Sequence, residues 1–194
     1  MSLVVVRHGR TEANAGRRLL GHLDLPLDDL GRAQADALVA TVGPVDRVIT
    51  SPLLRARQTA AGFDAPSSID PRFIELDYGE YDGMPLGDVP PALWQRWRSD
   101  PEFAPPGGES LASLRRRVEA ALGELVDAAR SETVVVVSHV SPIKAAVTWA
   151  LGVGDEVVWR LFVSPASISR VSVGDSGPVL VSFNEVAHLD GLVG

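Results

Sequence analysis

The sequence predicts an α/β fold in three layers, a mixed and mostly parallel central sheet flanked by helices. Three observations predict it. Residues 3–6, Leu-Val-Val-Val, form a continuous apolar run, and residues 133–138 hold four valines in a row. Neither run alternates, so both read as strands covered on both faces. Amphipathic stretches of helical period lie between the apolar runs, and strands alternating with helices argue for parallel pairing.

The elements follow in order. Residues 3–6 are the first strand and residues 45–50 (Val-Asp-Arg-Val-Ile-Thr) the second, while the valine run is a third and central one. Residues 168–173 and 179–183 alternate apolar and polar around Gly174-Asp175-Ser176-Gly177-Pro178, which reads as a hairpin. Helices fit between. Residues 110 to about 130 put Leu111, Leu114, Val118, Leu122, Leu125 and Ala129 on one face, with Ser110 as N-cap. Residues 30–41 and 53–62 are shorter, alanine-rich helices, the first capped by Asp28, and residues 142–151 start with a proline suited to a first turn. Residues 82–108 differ: they hold six of the fourteen prolines, with Trp94, Trp97 and Phe103, and read as an irregular excursion containing one short helix.

At 194 residues the chain fits a single domain, residues 1–194, with that excursion over its site. A content of 45% hydrophobic and 22% charged residues is that of an ordinary soluble protein. The absence of cysteine excludes disulfides, thiolate metal sites and cysteine nucleophiles. A net charge of −7 argues against a nucleic-acid or membrane partner, so any anion site must be a local concentration of arginine. No apolar run approaches a membrane span and no signal peptide is legible, so the expected compartment is the cytoplasm.

Polar residues with chemistry follow the apolar runs. Arg7-His8-Gly9 comes after the first, Ser51 to Ala60 with Arg55 and Arg57 after the second, and Ser138-His139 after the valine run. Glu75-Leu76-Asp77-Tyr78-Gly79 reads as a fourth such place. Parallel strands point the same way, and ligands bind beyond their carboxyl ends, where helix N-termini favour anions. Two histidines, two arginines and an acid there make phosphate the natural ligand. Either Arg55 or Arg57 could supply the second guanidinium, and Asp77, Glu80 and Asp82 compete with Glu75 for the acid.

These motifs resemble the histidine phosphatase superfamily, the phosphoglycerate mutase-like fold. The resemblance runs from Arg7 to the strand ending near Phe183. It rests on Arg7-His8-Gly9-Arg10-Thr11-Glu12-Ala13-Asn14 with Arg18 and Gly21, on Leu30-Gly31-Arg32-Ala33-Gln34-Ala35, and on Ser51 to Ala60. Glu75 to Gly79 with Gly83, Gly107-Gly108-Glu109-Ser110 and Ser138-His139 complete it. A lone Arg-His-Gly is weak, whereas this many motifs in order are specific. The resemblance implies His8 as nucleophile, with one ring nitrogen held by a backbone carbonyl, and Arg7 and Arg55 as phosphoryl clamps. It makes His139 a further donor and Glu75 the acid that protonates the leaving oxygen and then activates water. Asn14, Thr11, Arg18, Gly21, Tyr78 and Val140 are its expected phosphate- or substrate-binding residues. It implies no metal and no cofactor, and a small-molecule phosphate ester as the partner of a monomer or homodimer.

The implied activity is metal-independent phosphate monoester hydrolysis through phosphohistidine. Phosphoglycerate mutase is the alternative, and a catalytically idle module binding phosphorylated ligands is another. Few basic residues in the excursion (Arg96 and Arg98) and Ser-His-Val-Ser-Pro-Ile-Lys at 138–144 are more similar to small-molecule phosphatases, the α-ribazole and broad-specificity acid phosphatases. Three further features carry plainer expectations. Arg115-Arg116-Arg117 reads as a solvated helix face, His22 and His188 as surface or loop histidines, and Trp94 and Trp97 as core packing or a lid.

Overall fold

A computed structural model describes residues 1–192. β1 (Ser2–Arg7) leads into a four-residue helix, α1 (Glu12–Ala15), followed by α2 (Asp29–Val42), β2 (Arg47–Thr50), α3 (Leu54–Ala60) and the short β3 (Ser67–Ile69). After irregular chain come α4 (Pro91–Ser99), α5 (Leu111–Ala129), β4 (Thr133–Ser138) and α6 (Val140–Leu151), then the hairpin of β5 (Ile168–Gly174) and β6 (Gly177–Glu185). The strands form one sheet in the order β3-β2-β4-β1-β5-β6. β3, β2, β4 and β1 are mutually parallel, while β5 and β6 run antiparallel at one side.

The valine runs are central because both sheet faces are covered. Val4 and Val6 of β1 and Val135 and Val137 of β4 pack with Leu38 of α2 and Ala56 of α3. Leu3 and Val5, with Val134 and Val136, turn the other way onto Leu114, Val118 and Leu122 of α5 and Ile143 of α6. Period-2 geometry sends neighbours to opposite faces, so a strand buried on both shows no alternation. Each such valine contributes about 1.5–3 kcal/mol through burial.

Caps fix the helix starts. Ser110 Oγ accepts from Ser113 N at 3.1 Å, and Asp28 Oδ1 accepts from Gly31 N at 2.7 Å. α6 starts two residues earlier than Pro142, with His139 in the N-cap position and Pro142 in the first turn. β3 departs from the expectation, which had no strand there. Its three residues are all exposed and carry no apolar pattern, and a strand this short leaves little edge to pair.

The excursion contains one helix, as expected. Leu93 and Trp97 of α4 join Leu19 and Val89 in an apolar cluster separate from the two sheet faces. Backbone bonds stitch it down: Gly83 N donates to Leu19 O at 2.7 Å and Leu19 N to Met84 O at 2.8 Å. Among the described residues no helix is long and apolar enough to cross a membrane.

Register then positions the chemistry. β1 and β4 pair with Arg7 opposite Ser138, so the next residues, His8 and His139, emerge side by side at the sheet's carboxyl edge. His8 N donates to Ser138 O at 3.0 Å, and Ser51, following β2, donates its N–H to Val137 O at 3.0 Å.

Candidate active site

His8 is 2% exposed, and its ring is fixed from two sides. Nδ1 lies 2.7 Å from Gly9 O. A carbonyl only accepts, so Nδ1 carries the proton and Nε2 keeps a lone pair. Arg55 Nε donates to that Nε2 at 3.3 Å. Burial, then the charges of Arg55 and Arg7, hold the His8 pKa well below 6.5, so the imidazole is neutral.

The loop after β1 is pressed onto the first turn of α2. A Cβ on Gly9 would sit 2.2 Å from Gly31 O, and one on Gly31 would sit 1.9 Å from Arg10 O. Only glycine allows that approach. Gln34 Oε1 accepts from Arg10 N at 2.9 Å, and Thr59 Oγ1 accepts from Gly9 N at 3.0 Å. The stretch 30–35 therefore supports the histidine loop.

Arg55 is fully buried on α3, and Arg57, two residues on, faces solvent. The helical period thus turns Arg55 toward His8. Its Nη1 and Nη2 donate to Leu23 O and Gly21 O, both at 2.7 Å, which leaves Nε aimed at the histidine. A bidentate clamp from both terminal nitrogens is not what this geometry offers. Arg7 Nη1 donates to Val163 O at 2.7 Å, while its buried Nε has no partner among the described residues. Burial lowers the Arg7 pKa to about 10, with Glu75 opposing.

His139 stands 5.1 Å from His8, centroid to centroid. Its Nε2 lies 2.7 Å from Ser51 Oγ, which also accepts from Leu53 N at 3.3 Å. Its Nδ1 is buried and has no hydrogen-bond partner among the described residues. Burial, then Arg55 and His8, hold the His139 pKa well below 6.5.

Glu75 does not follow a strand directly. β3 ends at Ile69, and a single 3₁₀ turn, Pro71–Phe73, intervenes. A loop therefore carries it. Leu76 N donates to Glu75 Oε1 at 2.7 Å and Ser141 N at 3.1 Å. Its backbone oxygen accepts from His22 Nε2 at 3.0 Å and Arg117 Nη2 at 3.1 Å. Its rivals are engaged elsewhere. Asp82 accepts from Gly21 N and Leu23 N, Asp77 accepts from Gly79 N, and Glu80 is exposed.

One expectation is extended and one needs correction. His22 is a loop histidine, as expected, but it also braces the acid's backbone and lies 3.4 Å from Asp77. Arg115-Arg116-Arg117 is a solvated face only at Arg116. Arg117 pairs with Glu109 at 2.8 Å while holding Glu75, and Arg115 meets Asp155 at 3.1 Å. Sequence reasoning also missed Ser51, Thr59 and Gln34 as individual supports. Helical period would have placed Arg117 two positions from Arg115 and off the latter's face, but not what it touches.

A cavity of about 750 Å³ opens above these groups. Arg7, His8 and Glu75 lie at its polar end, with Arg55 and His139 behind them. Asn14, Arg18, Tyr78 and Val140 line it; Thr11 and Gly21 do not. Thr11 is the fully buried N-cap of α1, bonded to Asn14, and Gly21 receives Arg55. Trp94, Trp97 and Trp159 form the outer wall, with Trp97 only 1% exposed, so the tryptophans serve both core and cavity. Among the described residues no group of three or more His, Cys, Asp or Glu could hold a metal ion.

The chain is also similar to known proteins. The chain is 33% identical to phosphoserine phosphatase 1 of Hydrogenobacter thermophilus, over 97% of this chain and 94% of that one. It is 34% identical to a bifunctional protein of Mycobacterium tuberculosis over 86% of its own length, and spans about half (49%) of that relative. It superposes on an Entamoeba histolytica phosphoserine phosphatase mutant in complex with phosphoserine with a TM-score of 0.88, at 26% identity, covering 97% of this chain and 98% of that one. The model of the histidine phosphatase superfamily (branch 1) matches residues 3–186, and the chain belongs to that family.

Proposed function

We propose that the protein hydrolyses phosphate monoesters through a phosphohistidine on His8, without a metal. The observation that carries this reading is the His8 ring. Its Nδ1 proton is committed to Gly9 O, so Nε2 keeps a neutral lone pair, which accepts from Arg55 Nε at 3.3 Å and becomes the nucleophile once that guanidinium turns to a phosphoryl oxygen. Nε2 attacks phosphorus as the bond to the leaving oxygen breaks, and Glu75 hands that oxygen a proton. Water then attacks the phosphohistidine, gives its proton to Glu75, and releases phosphate and free His8. Arg7 Nε and His139 Nδ1 are buried nitrogens without partners among the described residues, and with its proton on Nδ1 the imidazole would donate there as Arg7 does. Leaving such a group unsatisfied costs about 1–3 kcal/mol, and phosphoryl oxygens would satisfy both. Preorganised donors of this kind supply the charge stabilisation that a metal could otherwise give.

The phosphoserine phosphatases among the relatives support hydrolysis over relocation of the phosphate. We read residues 1–194 as one domain with residues 82–108 as a lid-like excursion, acting in the cytoplasm as a monomer or homodimer. The net charge of −7 favours a small ester over nucleic acid as substrate. The test is rapid quench with labelled substrate. Acid-labile, base-stable phosphate should be trapped on His8 during turnover, and His8→Asn should lose both the label and at least about 10⁴-fold in kcat. Turnover that survives EDTA but leaves no label on His8 would refute the covalent route. Phosphate recovered on an acceptor alcohol instead of in water would favour the mutase.

A further inference from the structure

Arg7 and His8 lean on residues 163–167, a segment that contributes no side chain to the phosphoryl transfer. Arg7 Nη1 donates to Val163 O at 2.7 Å, Arg7 N to Ser167 O at 3.1 Å, and Ala166 N to His8 O at 3.0 Å. Ser167 N donates to Ser164 O at 3.1 Å, which closes a four-residue turn around Pro165 and Ala166. Ala166 is fully buried with φ 54°, in the left-handed region. Proline followed by a positive φ is the type II pattern, and glycine is the usual third residue there. An alanine in that place is strained and persists only where its surroundings over-determine it.

The far side of the turn supplies that constraint. Asn184, near the end of β6, accepts through Oδ1 from Ser164 N at 2.7 Å. It is itself left-handed, with φ 56°, a conformation asparagine tolerates better than most residues. Asn184 N donates to Ser169 Oγ at 3.2 Å, which ties it across the hairpin to β5. Four residues on, the half-buried His188 lies in a 3₁₀ turn, Ala187–Leu189, whose Leu189 packs in the same cluster as Val6 and Leu38. His188 Nε2 lies 2.9 Å from Ala166 O, and a carbonyl only accepts, so Nε2 carries the proton. The turn is thus gripped by Arg7 and His8 on one side and by Asn184 and His188 on the other.

We propose that Asn184 and His188 are positioning residues for Arg7, acting through the turn at 163–167. The inference rests on the phosphatase reading and adds two residues to it. The Val163–Ser164 peptide is one planar unit, with Arg7 Nη1 on its oxygen and Asn184 Oδ1 on its N–H. The Ala166–Ser167 peptide likewise has His188 on its oxygen, while its N–H closes the turn on Ser164 O. Arg7 Nη1 is committed to Val163 O, so the place of that carbonyl sets the plane of the guanidinium and the direction of its unpartnered Nε. Without the Asn184 acceptor, Ser164 N loses its partner and the peptide is free to rotate, carrying the Val163 carbonyl with it. A shift of about 1 Å in a group that holds the reacting centre can cost on the order of 100-fold in rate.

The test uses nitrophenyl phosphate, whose leaving group needs no acid and so keeps slow variants measurable, together with binding of vanadate in place of the transferring phosphoryl group. Asn184→Gly keeps the left-handed backbone and removes the acceptor, whereas Asn184→Asp keeps both. Asn184→Gly should lose about 10- to 50-fold in kcat and in vanadate affinity, and Asn184→Asp no more than about threefold. His188→Leu should lose activity in the same way, and His188→Gln, which keeps an N–H donor, should recover most of it. In an Arg7→Ala background Asn184→Gly should cost less than about twofold, because no guanidinium is left to place. Should Asn184→Gly fail to fold, the same cycle of His188→Leu with Arg7→Ala decides. A loss of equal size in both backgrounds would mean a general structural role and would overturn the inference. So would an Asn184→Asp as impaired as Asn184→Gly, or an Asn184→Gly with wild-type kinetics and only a lower urea midpoint. Each of these leaves hydrolysis standing, whereas a wild type that neither turns over a phosphate ester nor binds vanadate would overturn the phosphatase reading beneath it.

Discussion

At the floor of the cavity, strand register places His8 and His139 side by side, and bonds of 2.7–3.3 Å to backbone carbonyls, to Ser51 and to one another hold His8, His139 and Arg55. The outer wall is held by rings on rings: Trp94 and Trp97 lie 5.3 Å apart, Trp97 is 5.8 Å from Tyr78, and Trp94 is 6.3 Å from Trp159. Directional bonds fix atoms to within tenths of an ångström, which phosphoryl transfer requires. Ring packing fixes a shape and excludes water while tolerating repacking. The contrast teaches a division of labour, in which the floor sets the reaction and the wall sets the ester.

Glu75 joins the two regions, and the largest effect expected in this comparison comes from changing it. In Glu75→Gln the amide oxygen can still accept from Leu76 N and Ser141 N, so the loop should hold. The proton donor is gone. An alkoxide leaves badly unless protonated, whereas a nitrophenolate leaves well without help. General acid assistance is worth about 10²–10⁴-fold, so alkyl phosphate turnover should fall by that factor and aryl phosphate turnover far less. Burst kinetics should be recorded alongside, because the same carboxylate assists water in the second step. Equal losses on both esters with no burst would remove Glu75 from the leaving-group role.

The floor was legible in the sequence because it sits where strands end. Residues 3–6 and the four valines of β4 announce central strands, and the polar residue after each is then bound to meet its neighbour at the sheet edge. Glu75 was found by its motif, not by its place, since it rides a loop well after β3. β3 itself left no signal in three exposed residues. The braces were harder still. His22 lies 53 residues from Glu75 in sequence and Arg117 lies 42 from it, and each gives one hydrogen bond to the Glu75 backbone oxygen. Side-chain-to-carbonyl contacts impose no periodicity and need no particular residue on the accepting side, so nothing in the sequence marks them.

The two tryptophans of α4 should separate packing from recognition. Trp97 is buried at the centre of the third cluster, so Trp97→Ala should cost about 3–5 kcal/mol of stability, measured by urea unfolding. Trp94 is only partly buried and lines the cavity, so Trp94→Ala should cost less stability. It should instead raise KM for esters with bulky leaving groups while leaving small esters unchanged. If Trp94→Ala lowered kcat for every ester, the wall would belong to the chemistry and the division above would fail.

The smallest expected effect is on stability against pH, and it belongs to the floor. His8 and His139 have folded pKa values well below 6.5, held down by burial first and then by the neighbouring guanidinium charges. In the unfolded chain both take up protons as pH falls through about 6.5, while the folded protein refuses them until far lower. Within that window the unfolded state binds more protons, so stability is fully present above pH 6.5 and is lost as pH falls toward the folded values. The melting temperature should therefore decline on acidification from pH 7 to pH 5 (conditions chosen to bracket the window), and the slope should flatten in a His8→Gln/His139→Asn double variant. Carboxylates add their own slope, but they are common to both proteins, so the difference isolates the histidines. Trp94→Leu should lower the whole curve without changing its slope, because the wall refuses no proton there. If wild type and the double variant lost stability in parallel, the two histidines would be taking up protons in the folded state, and a neutral His8 lone pair could not be credited to the environment that burial and Arg55 create.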